Sequence, residues 1–324
     1  MSQPTNTFDS YDAKGNREDL QDKIYMVSPE KTPVVSAIGR YTAKNTLHEW
    51  QRDSLASPNK DNAVIEGDDR TGTSLTATER VGNYTQLFDA VAVVTSTQEK
   101  INKAGRSSEM RYQISKKMTE LKRDLEAAIT SNNAAVAGNS STARKLGGLG
   151  VMLYTNTSHG SGGSTASHTS GAPTAAPTAG TARAFAESQV KTVMQSIYTN
   201  SGDMPTLVSL TPSHKSGFSA FTGIAASRFN MSSKKGQAAI IGGADVYMSD
   251  FGELTIVPNY VQASSNSGTA FILNPDYAGI AYLQSYKTEP LAKTGHTDKE
   301  LCSVEATLVV TSEKAHGKIA DLTA

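Results

Sequence analysis

Residues 107–131 read SSEMRYQISKKMTELKRDLEAAITS. Met110, Ile114, Met118, Leu121, Leu125 and Ile129 recur at steps of four and three, the spacing of one face of an α-helix. Ser107 or Ser108 can supply the N-cap, and Glu109 sits in the first turn, where free amides favour a carboxylate. Lys116, Lys117, Lys122, Arg123, Asp124 and Glu126 fall on the other faces. Lys116–Glu120 and Lys122–Glu126 are i,i+4 pairs, worth only about 0.2–0.5 kcal/mol each. At 1.5 Å per residue the helix is roughly 35 Å long. So long a helix with one apolar stripe should lie across a sheet, which the rest of the chain must supply.

Upstream, Thr46–Gln51 reads as a strand, with Leu47 and Glu49 on one face and His48 and Trp50 on the other. A second strand covers Gln86–Thr97. Between them, Arg52–Thr85 is mostly polar, and Val64, Ile65 and Leu75 are too few for a core. Such a stretch predicts a long hairpin reaching away from the body, unable to stabilise itself and needing a neighbour to lie on. The segment before it reads as an arm. Asn16 caps a short helix with Arg17, Glu18 and Asp19 in its first turn, Ser28-Pro29 stops it, and Thr32-Pro33 opens another turn ending at Gly39.

Downstream, Thr155–Gly180 is rich in Gly, Ser, Thr, Ala and Pro and reads as a flexible linker or surface loop. Thr181 then caps a helix with Phe185, Val190, Val193, Met194 and Ile197 inward, ending at Asn200-Ser201-Gly202. Leu207–Leu210 is a short buried strand, and Thr211-Pro212 opens a helix to Phe221. Val246–Met248 and Leu254–Val257 flank Asp250-Phe251-Gly252 as a hairpin. Ala270–Leu273, Ile280–Tyr286 and Val304–Thr311 complete an α+β half.

The 324 residues carry 31 Lys+Arg and 31 Asp+Glu, so net charge is zero and wholesale phosphate neutralisation is not the expected task. Aromatic content of 6% argues against a base-stacking platform. No apolar run reaches membrane-spanning length, and the first residues lack the basic and apolar regions of a secretory signal. Cys302 is the single cysteine, which excludes an intramolecular disulfide and a cysteine zinc site and suits a reducing cytoplasm. It reads as a packed small hydrophobe.

The motifs with chemical meaning are incomplete. Gly147-Gly148-Leu149-Gly150 lacks the Lys-Ser/Thr of a phosphate loop, and His48-Glu49-Trp50-Gln51 has no second histidine. Glu66-Gly67-Asp68-Asp69 lacks the oxygen spacing of a calcium loop and reads as a solvated turn or an inter-subunit acidic patch. The six histidines are scattered. Nothing combines an acid, a base and an oxyanion site, so the expectation is a non-enzyme with no cofactor or metal. Trp50 is either a core anchor or an aromatic anchor at a subunit contact.

An arm, a long polar hairpin, a long helix and an α+β body fed by distant strands resemble, in that order, the major capsid proteins of tailed bacteriophages with the Hong Kong 97-type fold. The wording is similar to one such family, long known only as a phage domain of unknown function. The matching stretches are Asn16–Leu20, Ser28–Pro33, His48–Leu55, Glu66–Asp69, Arg80–Phe88 and Gly105–Ile129. Leu291–Gly295 and Val304–Leu308 resemble that family's two return strands.

The resemblance implies an N-terminal arm (1–45), an extended loop with flanking strands (46–97) and a spine helix of a peripheral domain (98–135). An axial domain (136–285, with an insert at 155–180) and peripheral return strands (286–324) follow. It implies a structural subunit that assembles with itself as pentamers and hexamers into an icosahedral head, built in the bacterial host cytoplasm and ending in the virion. That head encloses double-stranded DNA without sequence-specific binding. The further partners are a separate scaffolding protein, a portal and decoration proteins, with no membrane.

The expected subunit contacts are Arg17, Asp19, Trp50, Arg52, Glu66, Asp68, Asp69 and Arg80. Two departures stand out. The arm starts almost at Met1, which implies a separate scaffolding protein or none. Lys60 lies in the loop, but no partner can be matched for the cross-link that some members form. The competing readings are an encapsulin-like compartment shell and a cytoplasmic enzyme with residues 155–180 as a lid.

Overall fold

The computed structural model describes residues 24–69, 72, 74–169, 172–173, 175–221 and 245–323. α1 (Pro33–Ala37), β1 (Gly39–Thr42) and β2 (Leu47–Arg52) come first. β3 (Glu79–Tyr84), β4 (Gln86–Thr95), α2 (Ser96–Lys100) and the long α3 (Glu109–Ile129) follow. α4 (Leu149–Met152), β5 (Thr157–Ser158), β6 (His168–Thr169) and β7 (Ala172–Pro173) lead to α5 (Glu187–Ser201), β8 (Leu207–Leu210) and α6 (Pro212–Ser219). β9 (Val246–Ser249), β10 (Gly252–Pro258), α7 (Tyr260–Ser265), β11 (Ala270–Leu273), β12 (Ala278–Pro290), β13 (Thr297–Val310) and β14 (Gly317–Ile319) complete the order.

Two sheets organise the molecule. The first has the order β1-β12-β13-β4, and α3 crosses it. Leu121, Leu125 and Ile129 are at most 1% exposed and share a core with Phe88, Val304, Ala306 and Leu308. Each such side chain contributes about 1.5–3 kcal/mol by leaving water, far more than any ion pair along the helix. The N-cap is Ser108, whose hydroxyl accepts from the Arg111 amide. The second sheet has the order β5-β14-β11-β8-β10-β9. α5 buries Val190, Val193, Met194 and Ile197 in a separate core with Val208, Leu210, Ile272 and Ile319. Gly202 ends α5 at φ 72°, a left-handed position that favours glycine.

Several expectations need correction. The second limb of the hairpin is β3, which pairs antiparallel with β2, whereas β4 pairs with β13. β3 (ERVGNY) carries Gly82, where a Cβ would lie 2.8 Å from Glu49 Cγ, and a fully buried Asn83. Both residue types are depleted in strands, so the pattern concealed it.

Leu291–Gly295 is not a strand but the connection between β12 and β13, which are longer than expected. The helix expected from Thr181 starts at Glu187 instead. The helix capped by Asn16 lies outside the described residues except for 24–27, which are irregular and exposed.

Residues 155–180 are not a free linker. β6 and β7 form a small hairpin, β5 joins the second sheet, and Ser164 and Thr178 exchange backbone bonds. Gly160, Gly163 and Gly180 crowd together: a Cβ on Gly160 would lie 2.0 Å from the Thr181 carbonyl oxygen. The glycines are used for close approach rather than freedom.

Glu126 is likewise not on a solvated face. It is 0% exposed, accepts from the Val34 amide (3.0 Å), the Val35 amide (2.7 Å) and Asn259 Nδ2 (2.6 Å), and so caps α1 from another helix. Thr32 makes no side-chain cap there. The ion pair formed on α3 is Lys117–Glu120 rather than Lys116–Glu120.

Candidate assembly surfaces

The hairpin stem is the six-pair β2–β3 ladder, from Leu47↔Tyr84 to Arg52↔Glu79. Its inner end is locked to the body. Asn83 donates Nδ2 to the carbonyls of Gly147 (3.0 Å) and Leu308 (2.9 Å) and accepts from the Gly147 amide (2.8 Å). Thr85 and Arg144 both donate to Glu305 Oε1, at 2.7 and 2.6 Å. At the outer end Arg52 Nη2 donates to Glu79 (2.7 Å) and to Tyr154 Oη (3.1 Å). Arg52 therefore braces the stem within its own subunit. Its guanidinium pKa is raised: desolvation opposes the shift, and Tyr154 and Glu79 together override it.

Beyond the stem the tip is irregular, and its large apolar residues have no cover. Leu55 is 99% exposed, Leu75 96%, Ile65 80% and Val64 60%. By sequence the tip also carries Asp53, Asp61, Glu66, Asp68 and Asp69 against Lys60 and Arg70. Gly67 turns at φ 83°, and the Asp68 amide donates to the Ile65 carbonyl, so the acidic group is a tight turn on an open loop. Ile24–Val27 of the arm are exposed too, Val27 at 94%. Covering four tip side chains would release roughly 6–12 kcal/mol of gross hydrophobic free energy. An exposed ion pair adds only about 0.2–1 kcal/mol. The apolar anchors therefore dominate any contact made here, and the charges set its register.

The expected contact residues separate into groups. Glu66, Asp68 and Asp69 share the tip. Arg80 is 70% exposed at the stem, with Nε 3.0 Å from Glu49 Oε1. Trp50 is half-buried and packs against the first core, its indole N–H buried without a partner. Arg17 and Asp19 lie outside the described residues. The sequence reading passed over Leu55, whose signal was a lone large apolar residue in a polar run.

Among the described residues no group of three or more His, Cys, Asp and Glu could hold a metal ion. Cys302 is buried and its thiol pKa is pushed up by burial. No helix among the described residues is long and apolar enough to cross a membrane.

The sequence profile of the SU10 major capsid protein family matches residues 3–323. A curated relative, the major capsid protein of Escherichia phage Phieco32, is 37% identical over 134 residues, which are 41% of this chain and 38% of that relative. The match thus spans well under half of that relative's length. A solved structure from Gordonia phage Cozz superposes with a TM-score of 0.62 at 10% identity, covering 99% of this chain and 97% of that one. The holo-SrpI encapsulin complex of Synechococcus elongatus does so at 0.54 and 11%, covering 95% and 92%. These likenesses bear out the expected α+β, Hong Kong 97-type fold.

Proposed function

The chain belongs to the SU10 major capsid protein family, and from that premise we propose that it builds the icosahedral head of a tailed phage by assembling with copies of itself. Pentamers and hexamers of one subunit must meet at different angles. Two braced cores can tile while an arm and a hairpin adapt. The first sheet with α3 would serve as the peripheral domain. The second, including β14, would serve as the axial one.

The observation that carries this reading is the hairpin tip, with Leu55, Val64, Ile65 and Leu75 held out in solvent on a stem locked at its inner end. Isolated, such a tip has no reason to carry large apolar residues. In a shell it lies on the next subunit, with Glu66, Asp68, Asp69 and Arg80 setting register, and Arg17 and Asp19 acting from the arm. Obligate interfaces bury about 2,000–5,000 Å², which overlapping arms and hairpins can supply. Zero net charge suits a wall that encloses double-stranded DNA without gripping it. Assembly in the host cytoplasm with a separate scaffolding protein, a portal and decoration proteins completes the proposal.

The fold alone does not separate a phage head from an encapsulin-like compartment, since both share it; the family match favours the head. The lid reading is disfavoured, because Asn156–Ser158 bond to β14 and its flank while Ser164 and Thr178 exchange backbone bonds.

The test replaces residues 55–76 with a short turn in the full chain, expressed with and without its scaffolding partner. Light scattering and negative-stain microscopy should find folded subunits that build no shells. Normal particles from that variant would refute the hairpin's role.

A further inference from the structure

Lys318 lies in β14, inside the six-stranded sheet, and is 1% exposed. Its ammonium donates to the Gly150 carbonyl at 2.5 Å. An ammonium has three donors, and a buried one needs a charge partner. The acid lining the same cavity, Asp321, acts on Lys318 through space, but its hydrogen bonds go elsewhere. Its carboxylate accepts from the Gly160 amide (2.9 Å) and from Gly180, and it stands 3.5 Å from His159 Nδ1. Asp321 sits at φ 59°, in the left-handed region that Asp and Asn tolerate better than other residues with a side chain.

Lys318, His159 and Asp321 line a cavity of about 190 Å³, together with buried Asn266 and Thr269 and exposed Asn132, Thr178 and Ala179. The Asn132 and Asn266 amides and the Thr269 hydroxyl are satisfied among themselves and by the Thr130 carbonyl. Both ring nitrogens of His159 are buried without a hydrogen-bond partner. Burial pushes its pKa down, so at pH 7 the neutral ring offers one donor and one acceptor. The unspent groups are thus mainly donors. The space holds about six waters by volume, enough for a five-atom oxyanion and some water.

We propose that this cavity binds a small tetrahedral oxyanion, phosphate in particular, through Lys318 and His159. Phosphate is favoured over sulfate because Asp321 lines the cavity and its carboxylate has acceptor capacity beyond the Gly160 and Gly180 amides. Phosphate at neutral pH keeps an O–H to donate to that carboxylate, whereas sulfate has none. The ion would add a hydrogen-bonded charge partner to Lys318, on which Asp321 acts only through space. Free phosphate and the terminal phosphate of a nucleic-acid strand share this chemistry.

The test is calorimetric titration of the full chain with inorganic phosphate in a buffer free of other oxyanions, with sulfate in parallel. One saturable site is expected, with sulfate weaker, and with Lys318→Met binding phosphate about tenfold or more less tightly. Burial pushes the Lys318 pKa down to about 8, so binding should also weaken between pH 7 and pH 9. No binding to the unaltered chain, or equal binding by Lys318→Met, overturns the proposal. If that variant does not fold, His159→Gln and the pH 9 titration decide: unchanged affinity in both overturns it. Displacement of phosphate by a 5′-phosphorylated strand but not by its unphosphorylated twin places the source at nucleic-acid ends. Response to inorganic phosphate alone identifies the free ion.

Discussion

Taking dissociated subunits from pH 7.5 to pH 5 should cost them about 2 kcal/mol through His316 alone. This imidazole is 0% exposed, its Nδ1 accepts from the Asn274 amide at 3.1 Å, and its Nε2 has no partner. Burial pushes its pKa from 6.5 down to about 4. The unfolded chain therefore takes up a proton well before the folded one. Stability is full above pH 6.5, falls as the pH drops through that window, and is about 3 kcal/mol lower below pH 4. A domain has only about 5–15 kcal/mol to lose. His159 and His168 are also pushed down by burial and act with the same sign, so the subtraction of a variant is needed. His316→Asn keeps an acceptor near Nδ1 and removes the titration. Urea unfolding at pH 7.5, 6 and 5 should show the unaltered chain losing about 2 kcal/mol more than His316→Asn. Parallel losses in the two proteins would refute the reasoning.

Three further outcomes follow from the packing. Leu121→Asp would bury an unpaired carboxylate between α3 and the first sheet, a change of the class costing over about 4 kcal/mol. Circular dichroism should find no cooperatively folded subunit, and a soluble folded variant would undo the assigned face. Glu126→Gln turns an amide donor toward three donors, so at least one of the Val34 and Val35 amides loses its acceptor, at about 1–3 kcal/mol. Hydrogen exchange there should quicken roughly tenfold or more, and unchanged protection would contradict the cap. Gly160→Ala places a methyl 2.0 Å from the Thr181 carbonyl oxygen, so residues 155–183 should become protease-sensitive while α3 stays protected. Equal resistance to cleavage would show that the segment can shift without cost.

Wherever one physical signal dominated, the fold was legible. The four-and-three stripe of α3 announced the helix, and the apolar run at Ala270–Leu273 announced β11. β3 was hidden because its glycine and asparagine serve contacts from distant segments, with Glu49 and with Gly147 and Leu308. Glu126 was misplaced for the same reason: its partners lie more than 90 residues away in sequence on either side. The glycines of 155–180 looked like freedom because composition does not show what a Cβ would strike. At the assembly surfaces the acidic turn was visible, but the exposure of Leu55 and Leu75 was not, since exposure depends on everything the hairpin fails to touch.

The wiring of the two sheets also constrains how the chain acquires its shape. β1 pairs with β12, joining Gly39 to Gly279, β4 pairs with β13, and β14 inserts between β5 and β11. Contacts of such sequence separation give high contact order and slow folding. During synthesis the early strands must wait with open edges until residue 319 has been made. A chain halted before that point has sticky strands but no finished tile, so it is a substrate for chaperones or aggregation. Topology thereby acts as a length check, admitting only subunits whose translation has passed the last strand.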